Sequence, residues 1–111
     1  MAELASIARP YAQAVFELAK DSGHYGPWSE ALEFLATVAA DKDMAALFSN
    51  PRVSRQQAAD IVIELLGGAV GDEPKNLVRL LAQNRRLQAL SAILKQYELL
   101  RAEAERTIRA E

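Results

Sequence analysis

Few residues in this chain of 111 could carry out chemistry. His24 is the only histidine and lies between Gly23 and Tyr25 in a predicted turn, and the chain has no cysteine. Zinc sites use three or four histidine, cysteine or carboxylate ligands, so the sequence predicts no metal site and a solvated His24. Histidine-based acid–base catalysis lacks candidates for the same reason. We therefore expect a protein that is not an enzyme and binds no cofactor.

Two other groups of residues could bind phosphate or nucleic acid. The glycine-rich run at residues 67–71 lacks the following lysine and hydroxyl of a phosphate-binding loop, and it follows a predicted helix rather than a strand. Arg79, Arg85 and Arg86 form a small basic cluster without interleaved aromatic residues. The first group is interpreted as a helix-ending turn. The second is either a solvated helix junction or a contact for an acidic partner.

The overall composition favours a small globular domain. Thirteen basic and 15 acidic residues give a formal charge of −2, which predicts no general attraction to nucleic acid or anionic lipid. The absence of cysteine excludes disulfides. The acidic N-terminus is not typical of a secretory signal, and no apolar run approaches the ~20 residues that span a bilayer. We expect a protein that is cytoplasmic or peripheral to a larger complex.

The elements that position these residues are predicted to be six helices and no strands. Alanine and leucine dominate, and apolar residues recur at helical spacing. The first predicted helix covers residues 3–21, with a kink or a start at Pro10, and the second is opened by Pro27 after breaks at Gly23 and Gly26. The third is capped by Asp41 or Asp43 and stopped by Asn50-Pro51, and the fourth is opened by a Ser54/Gln57 capping box and ended at Gly67-Gly68. The fifth runs from Asp72 to Asn84, and the sixth from Arg86 onward.

Two of these helices carry unusually wide apolar surfaces. In the first, the polar side chains occupy a wedge of only about 120°, and in both the first and the fifth the apolar arc spans roughly 200°. A surface helix needs little more than ~100° to face its own core. Either both helices lie in the middle of the bundle, or one edge of each arc stays exposed. In the second case the two edges form an apolar groove for an amphipathic helix of a partner.

Several segments resemble one known family. The resemblance rests on residues 8–19 (ARPYAQAVFELA), Trp28, residues 47–51 (LFSNP) and residues 76–87 (NLVRLLAQNRRL). On these segments the chain resembles the N-terminal domain of the delta subunit of bacterial F-type ATP synthases, the family that includes the oligomycin-sensitivity-conferring protein. The resemblance implies a six-helix bundle on top of the catalytic headpiece. It also implies a non-catalytic stator connector at the cytoplasmic side of the bacterial inner membrane.

The same resemblance implies partners and a binding site. The N-terminal helix of an alpha subunit would lie in a groove between helices one and five, and the b subunits of the peripheral stalk would meet a C-terminal domain absent from this chain. On this reading, residues 1–105 are the bundle and residues 106–111 begin the connection to that domain. The groove residues carried over by position are Tyr11, Ala14, Asn76 and Leu80, with Ala8, Val15, Leu18, Leu77 and Asn84 added by helical spacing.

One departure from the family concerns the turn before helix six. The family often has glycine at the position of Arg85, so we expect Asn84 to adopt the left-handed conformation instead. The alternative function is a free-standing helical regulator that binds nucleic acid or a partner protein. It predicts a salt-sensitive affinity for DNA or RNA, which a gel shift at low salt would detect.

Overall fold

The computed structural model describes the backbone of residues 2–109 and the side chains of residues 3–106. Six α-helices and one 3₁₀ turn follow in order, and no strand occurs within these bounds, which confirms the all-α prediction. The helices are α1 (Ala2–Ser22), α2 (Tyr25–Ala40), α3 (Lys42–Ser49), α4 (Arg55–Leu66), α5 (Asp72–Gln83) and α6 (Leu90–Arg109), with the 3₁₀ turn at Leu87–Ala89. Of the helices described, none is long and apolar enough to cross a membrane.

Local capping explains where three of the helices begin or end. The Asp41 carboxylate accepts hydrogen bonds from the backbone N–H groups of Asp43 and Met44, which confirms it as the cap of α3. Ser54 and Gln57 exchange both hydrogen bonds of a capping box at the start of α4. α4 ends at Gly67, whose φ of 54° lies in the left-handed region that glycine adopts without steric cost.

Other predicted boundaries were wrong. Gly26 does not break the chain, because α2 already begins at Tyr25 and Gly26 lies in its first turn. α1 runs continuously through Pro10, so the proline does not mark its start. α6 begins only at Leu90, after the 3₁₀ turn, and not near Arg86.

The end of α5 also corrects the sequence-based expectation. Asn84 has a φ of −92°, whereas Arg85 has a φ of 55° and takes the left-handed conformation itself. The Arg86 N–H donates to the Leu81 carbonyl at 2.7 Å, and the Arg85 N–H donates to the Ala82 carbonyl at 3.0 Å. These two bonds define a Schellman motif, in which the residue after the cap is left-handed and is usually glycine. A non-glycine residue there costs about 1 kcal/mol.

The core surrounds α6, against which both α1 and α2 pack along much of their length, while α4 packs against α5. On α1, the buried positions include small residues, which allow the helices to approach closely. The largest fully buried side chain is Tyr97 on α6, and its hydroxyl donates a 2.7 Å hydrogen bond to the Tyr25 carbonyl. The predicted domain boundary at residue 105 lies inside α6. The fold of this chain does not test that boundary, which therefore stays a prediction. In the predicted connection, residues 110–111 and the side chains of residues 107–109 lie outside what the structure describes.

Candidate helix-binding groove

A groove of about 270 Å³ lies between α1 and α5. Six of the nine residues predicted for the site line it, together with Trp28 from α2 and Glu73 from the first turn of α5. These six are Ala14, Val15, Leu18, Asn76, Leu77 and Leu80. The structure therefore brings together side chains that are up to 66 positions apart in sequence (14 to 80).

The two helices run in opposite directions across the groove. At one end the Asn84 Nδ2 donates a 2.9 Å hydrogen bond to the Tyr11 hydroxyl, which joins two further predicted residues. This contact places the middle of α1 beside the C-terminal end of α5, and residues that follow Tyr11 on α1 line the groove with residues that precede Asn84 on α5. Leu18 and Glu73 consequently lie toward the opposite end, where Trp28 contributes to the lining.

The groove has a buried floor and partly exposed apolar walls. Val15, Leu77 and Trp28 are almost fully buried by the bundle itself, and they form the floor. Leu18 and Leu80 remain 44% and 46% exposed, one on each wall. Single exposed leucines are common on protein surfaces, but two that line one concave surface are typical of an interaction site. The wide apolar arcs are thus divided between the core and this groove.

Ala8 does not belong to the exposed surface of the groove. Its side chain is fully buried, like that of Ala12 one turn later. Both alanines pack within the bundle, so neither can contact a partner in this conformation. The sequence prediction that Ala8 lines the groove is therefore not supported, because Ala8 lies on the inner side of the apolar arc. Ala14, in contrast, is exposed and lies at the surface of the groove.

Polar groups lie at defined points on the groove walls. The Asn76 Oδ1 accepts a 2.8 Å hydrogen bond from the Arg79 guanidinium, so the Asn76 amide group is held in one orientation. Its Nδ2 makes no hydrogen bond with any described residue. Because it is exposed beside Leu80, it can donate to a carbonyl or side chain of a bound segment. The polar groups can therefore fix the register of an apolar contact.

The groups with shifted pKa values lie away from the groove. Burial raises the pKa of the Tyr97 phenol above its usual value of 10.0. The hydrogen bond from Arg101 to Glu105 raises the pKa of that guanidinium. Arg101 also donates a 2.7 Å hydrogen bond to the buried Ser29 on α2. Both side chains connect α6 to α2, but the two shifts differ in origin: burial in the bundle causes that of Tyr97, and a pair within α6 causes that of Arg101.

The other candidate groups from the sequence do not line the groove. His24 is exposed and precedes α2 as its N-terminal cap residue, without a side-chain hydrogen bond to the helix. In the part of the chain that the structure describes, no three histidine or acidic side chains are close enough to hold a metal ion. The glycine run at residues 67–71 connects α4 to α5, in agreement with its interpretation as a helix-ending turn.

Two residues that line the groove were not among those predicted from the sequence, Glu73 and Trp28. Glu73 precedes Leu80 by seven positions, which places both on one face of α5, so helical spacing alone could have identified it. Trp28 lies in the core, and it also lines the groove. No signal in the sequence of α2 indicates this second contact, because it depends on how α2 packs beside α1 and α5.

Comparisons with known proteins all match one family. The model of the family described as ATP synthase delta (OSCP) subunit matches residues 7–111. The chain is 54% identical over 106 residues to the ATP synthase subunit delta of Alkalilimnicola ehrlichii, covering 95% of this chain and 59% of that protein. It is 47% identical to the corresponding subunits of Thioalkalivibrio sulfidiphilus over 110 residues and of Aromatoleum aromaticum over 111 residues, covering 62% of each. The chain thus spans about three-fifths of the length of these relatives.

Proposed function

This chain belongs to the family of ATP synthase delta (OSCP) subunits, and from that premise we propose that it is a non-catalytic connector in the stator of an F-type ATP synthase. In this proposal the groove between α1 and α5 binds the N-terminal helix of an alpha subunit. The chain thereby sits on the catalytic headpiece, at the cytoplasmic side of the bacterial inner membrane, without entering the membrane.

The observation that carries the proposal is the pair of half-exposed leucines on the two walls of one groove. Leu18 and Leu80 face a concave surface whose floor is already apolar. A helix about 10 Å wide, with an apolar stripe, would cover both leucines and replace water over the groove. Removal of that apolar surface from water favours binding in proportion to the area covered.

The mechanical role follows from the kind of contact that such a groove makes. A stator must resist the torque that the rotor transmits to the headpiece, so its contacts must dissociate slowly. Related complexes differ in affinity mainly through their dissociation rates, and buried apolar anchors with a few polar contacts slow dissociation. Tyr11 can provide such an anchor, since its ring is partly exposed and Asn84 holds its hydroxyl.

Contact with the b subunits belongs to a different part of the protein in this proposal. The chain spans about three-fifths of its relatives, and we assign the b-subunit contact to the portion that these relatives have in addition. The 111-residue chain alone should therefore bind an alpha N-terminal peptide but not the b subunits. Titration with each partner separately tests this division, and b-subunit binding by the chain alone would contradict it.

Single substitutions test the groove assignment. Ala14→Asp places a charge among the apolar walls, and Tyr11→Ala removes the anchor, so both should weaken the binding of a peptide from the alpha N-terminus in calorimetric titration. Ala46→Asp is the matched control, because Ala46 is exposed on α3 and does not line the groove. Unchanged affinity of the two groove variants, with unchanged circular dichroism, would exclude the groove as the binding site.

The alternative function is tested in the same preparation. A helical regulator of nucleic acid should shift DNA or RNA in a gel at low salt and lose this binding as salt is raised. A connector that uses an apolar groove should show no such shift, and its peptide affinity should change little with salt.

A further inference from the structure

The charges of this chain are unevenly distributed along the sequence. Residues 44–59 and 74–97 contain seven of the 13 basic residues and no acidic residue. The rest of the chain contains six basic and all 15 acidic residues. The formal charge of −2 therefore combines +7 in these two segments with −9 elsewhere. A net charge near zero thus conceals a basic region, provided that the fold brings the two segments together.

The two segments meet at a small cavity. The cavity has a volume of about 20 Å³ and lies where the start of α4 adjoins the end of α5. Arg55 and Arg85 line it, one from each segment, and no carboxylate belongs to its lining. Arg52 and Arg86 are their close neighbours in the sequence, and all four arginines are exposed. These four residues are called the arginine face below.

The four guanidinium groups lack partners within the described part of the chain. None of them forms an ion pair or a side-chain hydrogen bond with a described residue. Arg79 on α5 differs from them, because it donates a hydrogen bond to Asn76. The Asp60 carboxylate, five positions after Arg55 on α4, accepts a 2.9 Å hydrogen bond from Gln56. The arginine face therefore has donors available to a carboxylate from outside the chain.

Two of these arginines lie where the local energetics disfavour them. Arg55 is the first residue of α4, and the partial positive charge of the helix N-terminus opposes a cation there. Arg85 has a φ of 55°, a conformation that only glycine adopts without steric cost. Natural sequences keep such local conflicts mainly at functional sites. Both conflicts lie at one cavity, so the stability of the fold does not explain these two residues.

We propose that the arginine face binds an acidic segment of a partner protein. Arginine suits this task, because its planar guanidinium donates two parallel hydrogen bonds to one carboxylate. The cavity has room for about one water molecule, so the segment lies across the face and inserts no side chain. The face and the groove between α1 and α5 share no lining residue. The proposal is therefore independent of the helix proposed for the groove.

A short acidic segment fits this face better than nucleic acid does. The rest of the chain carries a charge of −9, which repels a polyanion that extends beyond the face. A short segment contacts only the arginines, and charges farther away than about 8 Å are largely screened at physiological salt. The aromatic residue in the lining of the cavity is Phe48, which is half-buried against the core. The face consequently lacks the exposed rings on which bases stack.

An NMR titration of the 111-residue chain tests the proposal. A short oligoglutamate peptide is added at low salt, and the amide signals of the chain are followed. The largest shifts should occur at the four arginines of the face, and binding should weaken as salt is raised. Largest shifts elsewhere, or the absence of saturable shifts, would overturn the proposal. A single-stranded oligonucleotide of equal charge should bind more weakly, and tighter binding by the oligonucleotide would overturn the choice of a protein partner.

Substitutions separate binding from the stability of the fold. Arg55→Gln with Arg85→Gly should weaken oligoglutamate binding about fivefold, as expected for the loss of two exposed charge pairs. The Tm of this variant should equal or exceed that of the parent, because both changes remove a local conflict. Lys20→Gln with Lys95→Gln is the matched control, since it removes the same charge at exposed positions that do not line the cavity. The proposal is overturned if both variants lose affinity equally, if the arginine variant binds like the parent, or if its Tm falls.

Discussion

Replacing both exposed leucines of the groove by alanine should weaken peptide binding about thirtyfold. Each Leu→Ala change removes roughly three methylene equivalents, worth about 2.4 kcal/mol when fully transferred from water. Leu18 and Leu80 are 44% and 46% exposed, so a partner that covers them gains about 1.1 kcal/mol from each. The two together amount to about 2 kcal/mol, and 1.4 kcal/mol corresponds to a factor of ten in Kd.

The same substitutions also lower the stability of the fold, by an amount similar to their effect on binding. Slightly more than half of each leucine is already buried, so each change should lower the free energy of unfolding by about 1 kcal/mol, partly offset by the higher helix propensity of alanine. Domains of this size are usually stable by 5–15 kcal/mol, so the double variant should stay folded. Circular dichroism and urea unfolding verify this before the peptide titration.

Two other leucines provide the control. Leu65 on α4 and Leu99 on α6 are 53% and 64% exposed, and neither lines the groove. Alanine at both positions should leave the peptide affinity unchanged in the same calorimetric titration. The reasoning is refuted if the folded Leu18/Leu80 variant binds as tightly as the parent chain, or if the Leu65/Leu99 variant loses as much affinity.

Three further predictions concern stability. Arg85→Gly should raise the free energy of unfolding by about 0.5–1 kcal/mol and the Tm by a few degrees, because glycine adopts the left-handed conformation without steric cost; an unchanged or lower Tm in calorimetry contradicts this. Tyr97→Phe should cost about 1–2 kcal/mol at pH 7, since the Tyr25 carbonyl loses its donor. Because the pKa of Tyr97 is raised in the folded state, its neutral phenol favours folding below pH 10, and this contribution is lost as the pH rises further. The free energy of unfolding, measured with urea, should therefore fall less between pH 9 and pH 11 in the Tyr97→Phe variant than in the parent. Ser54→Ala should cost about 1 kcal/mol in urea unfolding by removing half of the capping box, and a neutral result would show that the box does not stabilise α4.

The sequence predicted the helices best where a boundary depends on neighbouring residues. Asp41 and the Ser54/Gln57 pair cap their helices through hydrogen bonds to residues two or three positions away, so their effect is readable from spacing alone. Gly67 ends α4 for an equally local reason, its tolerance of positive φ. Such contacts need no knowledge of the rest of the fold.

Local preference failed where packing competed with it. Asn84 was expected to take the left-handed conformation, but Arg85 takes it. The preference of asparagine for that region is small compared with the burial of Leu87 and Ala89, which the 3₁₀ turn after α5 inserts into the core. The position of the turn is therefore decided by contacts with other helices, which spacing along the chain does not reveal.

The sequence alone determined that α1 and α5 carry more apolar surface than a surface helix needs, since the width of an apolar arc depends only on residue type and helical period. Only the tertiary structure decided which part of that surface stays exposed. Ala8 and Ala14 are identical residues on the same helix, yet the bundle covers Ala8 and leaves Ala14 at the groove. Exposure is a property of the neighbours that surround a side chain, and those neighbours come from helices distant in the sequence.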